Sequence, residues 1–587
     1  MKNSILLSFL ILVLQNLHAQ TIIKGNVVTN KKETVPGANI ILQDTYDGTT
    51  SDVDGNFSFT TEETGKQILV VSFIGYESYV DTLQLSGETI ERNVVLKEQF
   101  NELNAVVVTA GAFEASDEKK AAVLRPLDIV TTAGAQGDMY GALQTLPGAT
   151  QVGNDDGLYV RGGSDYETKT IIDGLPVQNP YYSTVPDVPS RGRFAPFLFK
   201  GTVFSTGGYS AEYGQAMSSA IILETEEFPD FTSSGISLSP IFAGGYHVQK
   251  FNDGKTAFGG GMNYTNIGLY DLLFEPQTYE ITKSVQAGDA NIYFRQKTAN
   301  NGIIKFYGQL EGSVFGVRFP DVDSLAEGVK DEVSLRSNYQ YANISYKQIL
   351  GDSWTMYLAG GYSHSGDSTL FDDLNVSNGD DALQTKATFK NQVTEKISFK
   401  FGGEYQILNN KQFNPFSSEY EKVKENYSAI FAESDIFITN DLAGRVGLRS
   451  EHSNIIDETN LAPRISLAYK TGKNSQVSVA YGDFYQTPQP DYLYNTFPYY
   501  TPPTNLGYEK ATHYIANYQV LTTDRTFRVE LYYKQYENLL SETELPVNGE
   551  IGLENGGSGY ARGIDIFFRD KKTFENVDYW ISYSFLD

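Results

Sequence analysis

Apart from His18 in the leading segment, the chain carries four histidines, His247, His364, His452 and His513, which stand singly with no neighbour at metal-ligand or triad spacing. HExxH, GxSxG, phosphate-loop and dinucleotide signatures are missing from the sequence. There is no Cys, which removes thiolate chemistry, disulfides and sulfur metal ligands. The acid pairs Asp155-Asp156 and Asp372-Asp373 fall in Gly-, Asn- and Ser-rich turns, where solvated carboxylates are the ordinary outcome. Asp52, Asp54, Asn56 and Glu63 match some calcium-loop positions, but Phe57 stands where an EF-hand needs Gly. The alternation of Phe57 and Phe59 with Ser58 and Thr60 reads instead as a strand leaving the Asp54-Gly55 turn. No catalytic residue, metal site, cofactor or enzyme activity is expected.

What the sequence does offer is binding chemistry. Residues 484–503, FYQTPQPDYLYNTFPYYTPP, hold too much Pro for a strand interior and much Tyr for a solvated loop. As a loop packed on itself or an interfacial girdle, the segment needs no ligand. As a binding surface, Tyr485, Tyr492, Tyr494, Phe497, Tyr499 and Tyr500 offer rigid amphipathic faces, with Asp483 and Asp491 as acceptors.

The elements around these residues are strands. The chain has 40 Tyr, 35 Phe and 54 Gly, a composition that favours strands and turns. Its net charge of −27 opposes a nucleic-acid partner. Residues 1–20 read as a signal peptide, with Lys2, the apolar run Ile5 to Leu14 and Ala19. No later stretch supplies the ~20 apolar residues of a transmembrane helix. Residues 21–97 alternate short strands with turns, including Pro36-Gly37, and suggest a small β-sandwich. Residues 98–123 hold the β-branched run 103–109 followed by a charged tether, which reads either as a last sandwich strand or as a strand donated to a partner. Residues 124–226 form a compact α+β segment with a helix expected over Asp138 to Leu146, capped by Asp138 and stopped by Pro147-Gly148.

From 231 to 587 the pattern is dyad alternation. Ile397, Phe399, Phe401 and Tyr405 alternate with Ser398, Lys400, Glu404 and Gln406; Phe527, Val529, Leu531 and Tyr533 alternate with Arg528, Glu530, Tyr532 and Lys534. A soluble sandwich or a membrane barrel would both give this pattern. Its continuation over so long a helix-free stretch, with aromatics near strand ends, favours the barrel.

Four ordered elements, LPGA (146–149), LYVRGG (158–163), IIDGLPV (171–177) and GGYSAEYG (207–214), resemble the plug domain of TonB-dependent receptors. Residues 21–97 resemble the carboxypeptidase regulatory-like domain that precedes such receptors in Bacteroidetes. The resemblance implies a TonB box at Leu103, Ala105, Val106, Val107, Val108 and Thr109. It implies plug positions at Arg161, Gly162, Gly163, Asp173, Gly174, Gly207, Gly208, Glu212, Tyr213 and Gly214. Where siderophore-type plugs carry an IEV-x-x-G-P strand, this chain has Phe194-Ala195-Pro196-Phe197-Leu198-Phe199-Lys200-Gly201, so a siderophore does not follow.

The expected fold is mainly β: an N-terminal sandwich, an α+β plug and a large antiparallel transmembrane barrel. At ~22 residues per strand and connection, about 16 strands of an expected 22 are present, which reads as an incomplete barrel. The implied function is import of a scarce nutrient across the outer membrane, with TonB and its inner-membrane complex as partners, outer-membrane lipid around the barrel and the N-terminal domain in the periplasm. A surface structural, adhesion or signalling barrel without transport is the alternative.

Overall fold

The computed structural model describes residues 20–29, 34–43, 45, 47–73, 79–96, 122–124, 126–150, 157–183, 191–226, 228–229, 231–274, 280–300, 302–320, 330–351, 353–371, 374–394, 396–414, 418–439, 441–472, 474–494, 506–522, 524–544, 551–574 and 577–587. The signal peptide and the TonB-box residues 103–109 lie outside them, as do Phe497, Tyr499 and Tyr500. The chain divides into two compact units, Met1–Ala112 and Phe113–Asp587.

In the first unit, Thr21–Thr29 pairs antiparallel with Asn56–Thr61 and parallel with Thr89–Glu91 and Val94–Leu96. A second sheet runs Gly48–Thr50, Asn39–Leu42, Gly65–Ser72 and Tyr79–Leu85. Alternate residues of both sheets, among them Ile23, Val27, Ile40, Leu42, Phe57, Leu69, Val71 and Leu83, form one buried core. This is the sandwich that the turn spacing implied.

The second unit begins with a five-stranded sheet in the order Leu175–Pro176, Thr168–Ile172, Ser219–Thr225, Phe199–Ser205 and Ala122–Leu124. Two short helices accompany it, Pro126–Thr131 and Met139–Leu143. Asp138 caps the second by accepting from the Gly141 amide at 2.8 Å. That helix is shorter than the Asp138 to Leu146 expectation: Pro147 disfavours helical backbone at Leu146, and residues 144–148 close as turns. The first helix starts on a Pro at a position where its missing N–H costs nothing.

Residues Ser233 to Leu586 then form one antiparallel sheet of 17 strands, each paired to its sequence neighbour. This agrees with the expectation of about 16 strands. Inner and outer faces separate cleanly: Leu531 and Tyr533 are exposed while Glu530, Tyr532 and Lys534 are buried. Outward aromatics cluster at two levels. Tyr481, Tyr514, Tyr533 and Tyr560 follow one another at 5.3, 6.1 and 6.3 Å between centroids. Near the other strand ends, Phe401 lies 6.1 Å from Trp354 and 5.5 Å from Phe389.

The widest intervals between successive strands, Asn266 to Glu280, Pro320 to Lys330 and Gln486 to Glu509, all fall after strands running in one direction, and so at one end of the sheet. At the opposite end successive strands follow closely, as Lys297 to Ile303, Leu350 to Trp354 and Leu521 to Arg525, and the plug chain joins the sheet there at Ser233. Plug residues bond to strands from Ile303–Pro320 around to Tyr579–Leu586, so the sheet curves about the plug.

Candidate functional site

The plug seats on the inner wall through charged residues that sequence motifs and strand alternation bring together. LYVRGG turns back on itself after Val160, whose amide donates to the Gly163 carbonyl at 3.2 Å while the Gly163 amide returns a bond at 3.0 Å. Arg161, with φ +50°, is thereby turned outward. Its Nε and Nη2 donate to Asp565 Oδ2 at 2.9 and 2.6 Å, and Nη2 donates to Glu530 Oε1 at 2.5 Å. Its guanidinium also lies 4.3 Å from the Tyr532 ring centroid. All three charged groups are buried, a geometry that offsets desolvation only when every lone pair and proton finds a partner.

The IIDGLPV hairpin supplies a second contact. Asp173, at φ +45°, accepts from Lys305 Nζ at 2.8 Å, from the Thr225 amide at 3.0 Å and from Thr225 Oγ1 at 2.6 Å. Burial pushes this carboxyl up, but the Lys305 ammonium and the Thr225 bonds outweigh it and hold it below its ordinary value. The Gly174 carbonyl accepts from Lys386 Nζ at 3.1 Å.

GGYSAEYG makes the third and widest contact. Glu212 lies between Lys386 at 3.1 Å and Lys400 at 3.0 Å. Burial again raises the carboxyl and the two ammonium groups overcompensate, leaving it well below the usual range. Glu433 on the wall accepts from Ser210 Oγ and from the Ala211 amide, each at 3.0 Å. Arg449 Nη1 donates to the Glu212 carbonyl at 3.1 Å, and Arg464 Nη1 to the Tyr213 carbonyl at 2.8 Å and to the Ser210 carbonyl. The Tyr213 ring faces Lys386 Nζ at 5.0 Å. Gly207 adopts φ +139°, and a Cβ there would stand 2.9 Å from Ile515 Cδ1. A Cβ on Gly214 would collide with Glu451 and Arg449. Gly162 and Gly208 pack against Ala561 and Ala480 of the wall.

Three further contacts were not anticipated. Arg193 pairs with Glu311 and lies 4.4 Å from the Tyr339 ring. Lys534 Nζ donates to the Ser218 carbonyl at 3.1 Å and its hydroxyl at 3.0 Å. Near the short-turn end, Arg569 Nη2 donates to Asp128 of the first plug helix at 2.7 Å. The available signal was the charged residues on the inward positions of the alternating strands.

The candidate ligand residues divide. Tyr485 lies on Ser475–Gln486 with its ring 6.0 Å from Tyr508. The turn Pro490–Leu493 presents Tyr492, 42% exposed, whereas Tyr494 is 3% exposed. Burial raises the Tyr494 hydroxyl, and the charges of Asp380 and Asp491 add to it. Among the described residues no group of three or more His, Cys, Asp or Glu side chains forms a metal-holding cluster.

Comparison with known proteins agrees with this architecture. The CarboxypepD_reg-like domain family matches residues 23–108, and the family described as TonB dependent receptor-like, beta-barrel matches residues 284–587. A TonB-dependent receptor of Formosa agariphila is 27% identical over 252 residues, covering 40% of this chain and 22% of that protein. The TonB-dependent receptor SusC of Bacteroides thetaiotaomicron is 28% identical over 217 residues, covering 35% and 21%. The matched regions thus span about a fifth of these relatives' lengths. The crystal structure of the siderophore receptor PirA from Pseudomonas aeruginosa superposes with a TM-score of 0.63 at 13% identity, covering 80% of this chain and 85% of that one, a likeness of fold. With the barrel family matching more than half of its residues behind a plug seated on the inner wall, the chain belongs to the TonB-dependent receptors.

Proposed function

We propose that the protein imports a scarce solute across the outer membrane, with TonB drawing on residues 103–109 to move the plug. The observation that carries this reading is the plug itself, packed on apolar wall residues such as Tyr339, Tyr341 and Phe484 and fastened by buried ion pairs at Arg161, Asp173 and Glu212. Such ion pairs are specific when closed and can exchange for water when the plug shifts, unlike apolar contacts, which lose their stabilisation on wetting. A permanent pore has no use for so complete an obstruction. An adhesion or structural barrel has no need of a separately anchored plug. The long-connection end then faces outside, and the plug entrance, the first unit and Val107 face the periplasm.

The test is a photo-crosslinking residue at Val107 in cells. It should capture TonB, and Val107→Pro, which removes a ladder donor, should abolish energised uptake with membrane insertion unchanged. Absence of the TonB adduct in correctly inserted receptor would overturn the reading.

A further inference from the structure

The lumen beside the plug's apical loop narrows the chemistry of the ligand, given the import reading above. Asn179, in left-handed backbone at φ +49°, donates to Asp380 Oδ2 at 2.8 Å, and Asn410 donates to Asp380 Oδ1 at 2.7 Å. Ser183 Oγ donates to Asp367 Oδ2 at 2.7 Å. Neither carboxylate has a cationic partner among the described residues. Of the nearby basic side chains, Lys411 and His364 bond Asp381 at 3.3 and 2.8 Å, and Arg193 pairs with Glu311 and reaches Ser183 Oγ at 3.2 Å.

A second observation is independent of charge. Ser365 stands directly opposite Asp380 in the register of neighbouring strands. It is 3% exposed. Ser365 Oγ and Asp367 Oδ1 are buried without any hydrogen-bond partner. Unsatisfied buried polar atoms are costly, and a carboxylate oxygen beside a hydroxyl calls for a donor. Asp491, on the turn Pro490–Leu493, lies within electrostatic range of Asp380. It touches solvent, yet burial raises its carboxyl and the negative charge of Asp380 raises it further. An anionic chelate entering here would meet three carboxylates without counter-charge, whereas an ammonium group brings both charge and donors.

We propose that Asp367, Asp380 and Asp491, with Ser365, form a site for a small solute carrying two or more ammonium groups. Asp367 and Asp380 also hold Ser183 and Asn179 of the plug, so a bound ammonium competes directly with the apical loop's own hydrogen bonds.

Titration of the purified full chain in detergent with spermidine, trilysine and a glucosamine trimer tests this, with citrate as the anionic counterpart. The arm that binds distinguishes polyamine, basic peptide and amino sugar. Asp367→Asn and Asp380→Asn should each weaken that binding by about tenfold, and raising salt to about 0.5 M should weaken it too. Asp524→Asn, in a turn at the other end of the sheet, should leave it unchanged. The proposal is overturned if none of the three cations binds, if citrate binds more tightly, or if all three substitutions act alike. The assay needs neither TonB nor a proton gradient, so its failure leaves import standing, and loss of the Val107 adduct leaves the binding result standing.

Discussion

Arg161 and Glu530 lie 369 positions apart in the chain and 2.5 Å apart at the plug–wall contact, with hardly any of either side chain exposed. Glu530 keeps other donors, Arg528 and Asn517, when Arg161 is lost. Asp565 does not fare as well, since its Oδ1 already lacks a partner. Arg161→Ala therefore strands Asp565, at about 3 kcal/mol or more for an uncompensated buried charge. Entry of a large antibiotic into cells carrying the variant should rise, and Asp565→Asn in the same chain should recover part of the loss. Unchanged permeability would show that Arg161 serves only the plug's internal structure.

The depressed carboxyls Asp173 and Glu212 fix a pH window. Their contribution to plug docking is complete above the unfolded carboxylate values of about 4 and is lost as pH falls through their lower folded values. The difference in opening free energy of Thr168–Ile172 between the native chain and Asp173→Asn, read by hydrogen exchange, should be flat from pH 8 to 5 and shrink only in stronger acid. A difference that collapses near pH 6 would contradict this assignment.

Asp128 and Arg569 hold the first plug helix at the end where the chain enters. Arg569→Ala should cost about 1–3 kcal/mol locally and raise exchange in Pro126–Thr131 while leaving Met139–Leu143 protected. Equal loosening of both helices would mean that the pair stabilises the plug as a whole.

Tyr492 and Tyr494 should respond differently to substitution. Tyr492→Ser removes an exposed ring from Pro490–Leu493 and, at a binding hot spot, would weaken ligand capture by roughly thirtyfold with the loop intact. Tyr494→Ser removes a buried ring, and its first effect should be on protease resistance of the connection. Normal ligand capture by Tyr492→Ser would make the segment packing rather than recognition.

Much of this architecture was legible in the sequence for physical reasons. A strand with one face on the plug and the other on lipid must alternate, so Glu530, Tyr532 and Lys534 could be separated from Leu531 and Tyr533 without coordinates. Likewise, LYVRGG and GGYSAEYG announce turns through Gly. What the sequence does not contain is the partner of each charge. Lys305 and Asp173 are 132 positions apart, and Lys400 and Glu212 are 188 apart. Nothing local to either residue encodes that pairing, which depends on how far the sheet curves. The burial of Tyr494 was hidden for the same reason. Tyr and Pro content marks a special loop but does not say which of its rings is covered.

Arg464 and Arg449 grip 209–214 through the carbonyls of Ser210, Glu212 and Tyr213. A main-chain oxygen is supplied by every amino acid. The grip of the two arginines would therefore survive exchange of those side chains, provided the path of the backbone survives, whereas neither arginine has such latitude. Residue type in that loop is fixed instead where a side chain meets the wall, at Glu212 between Lys386 and Lys400 and at Gly214, so a foreign plug grafted into this wall would have to bring both the course of the loop and those two residues.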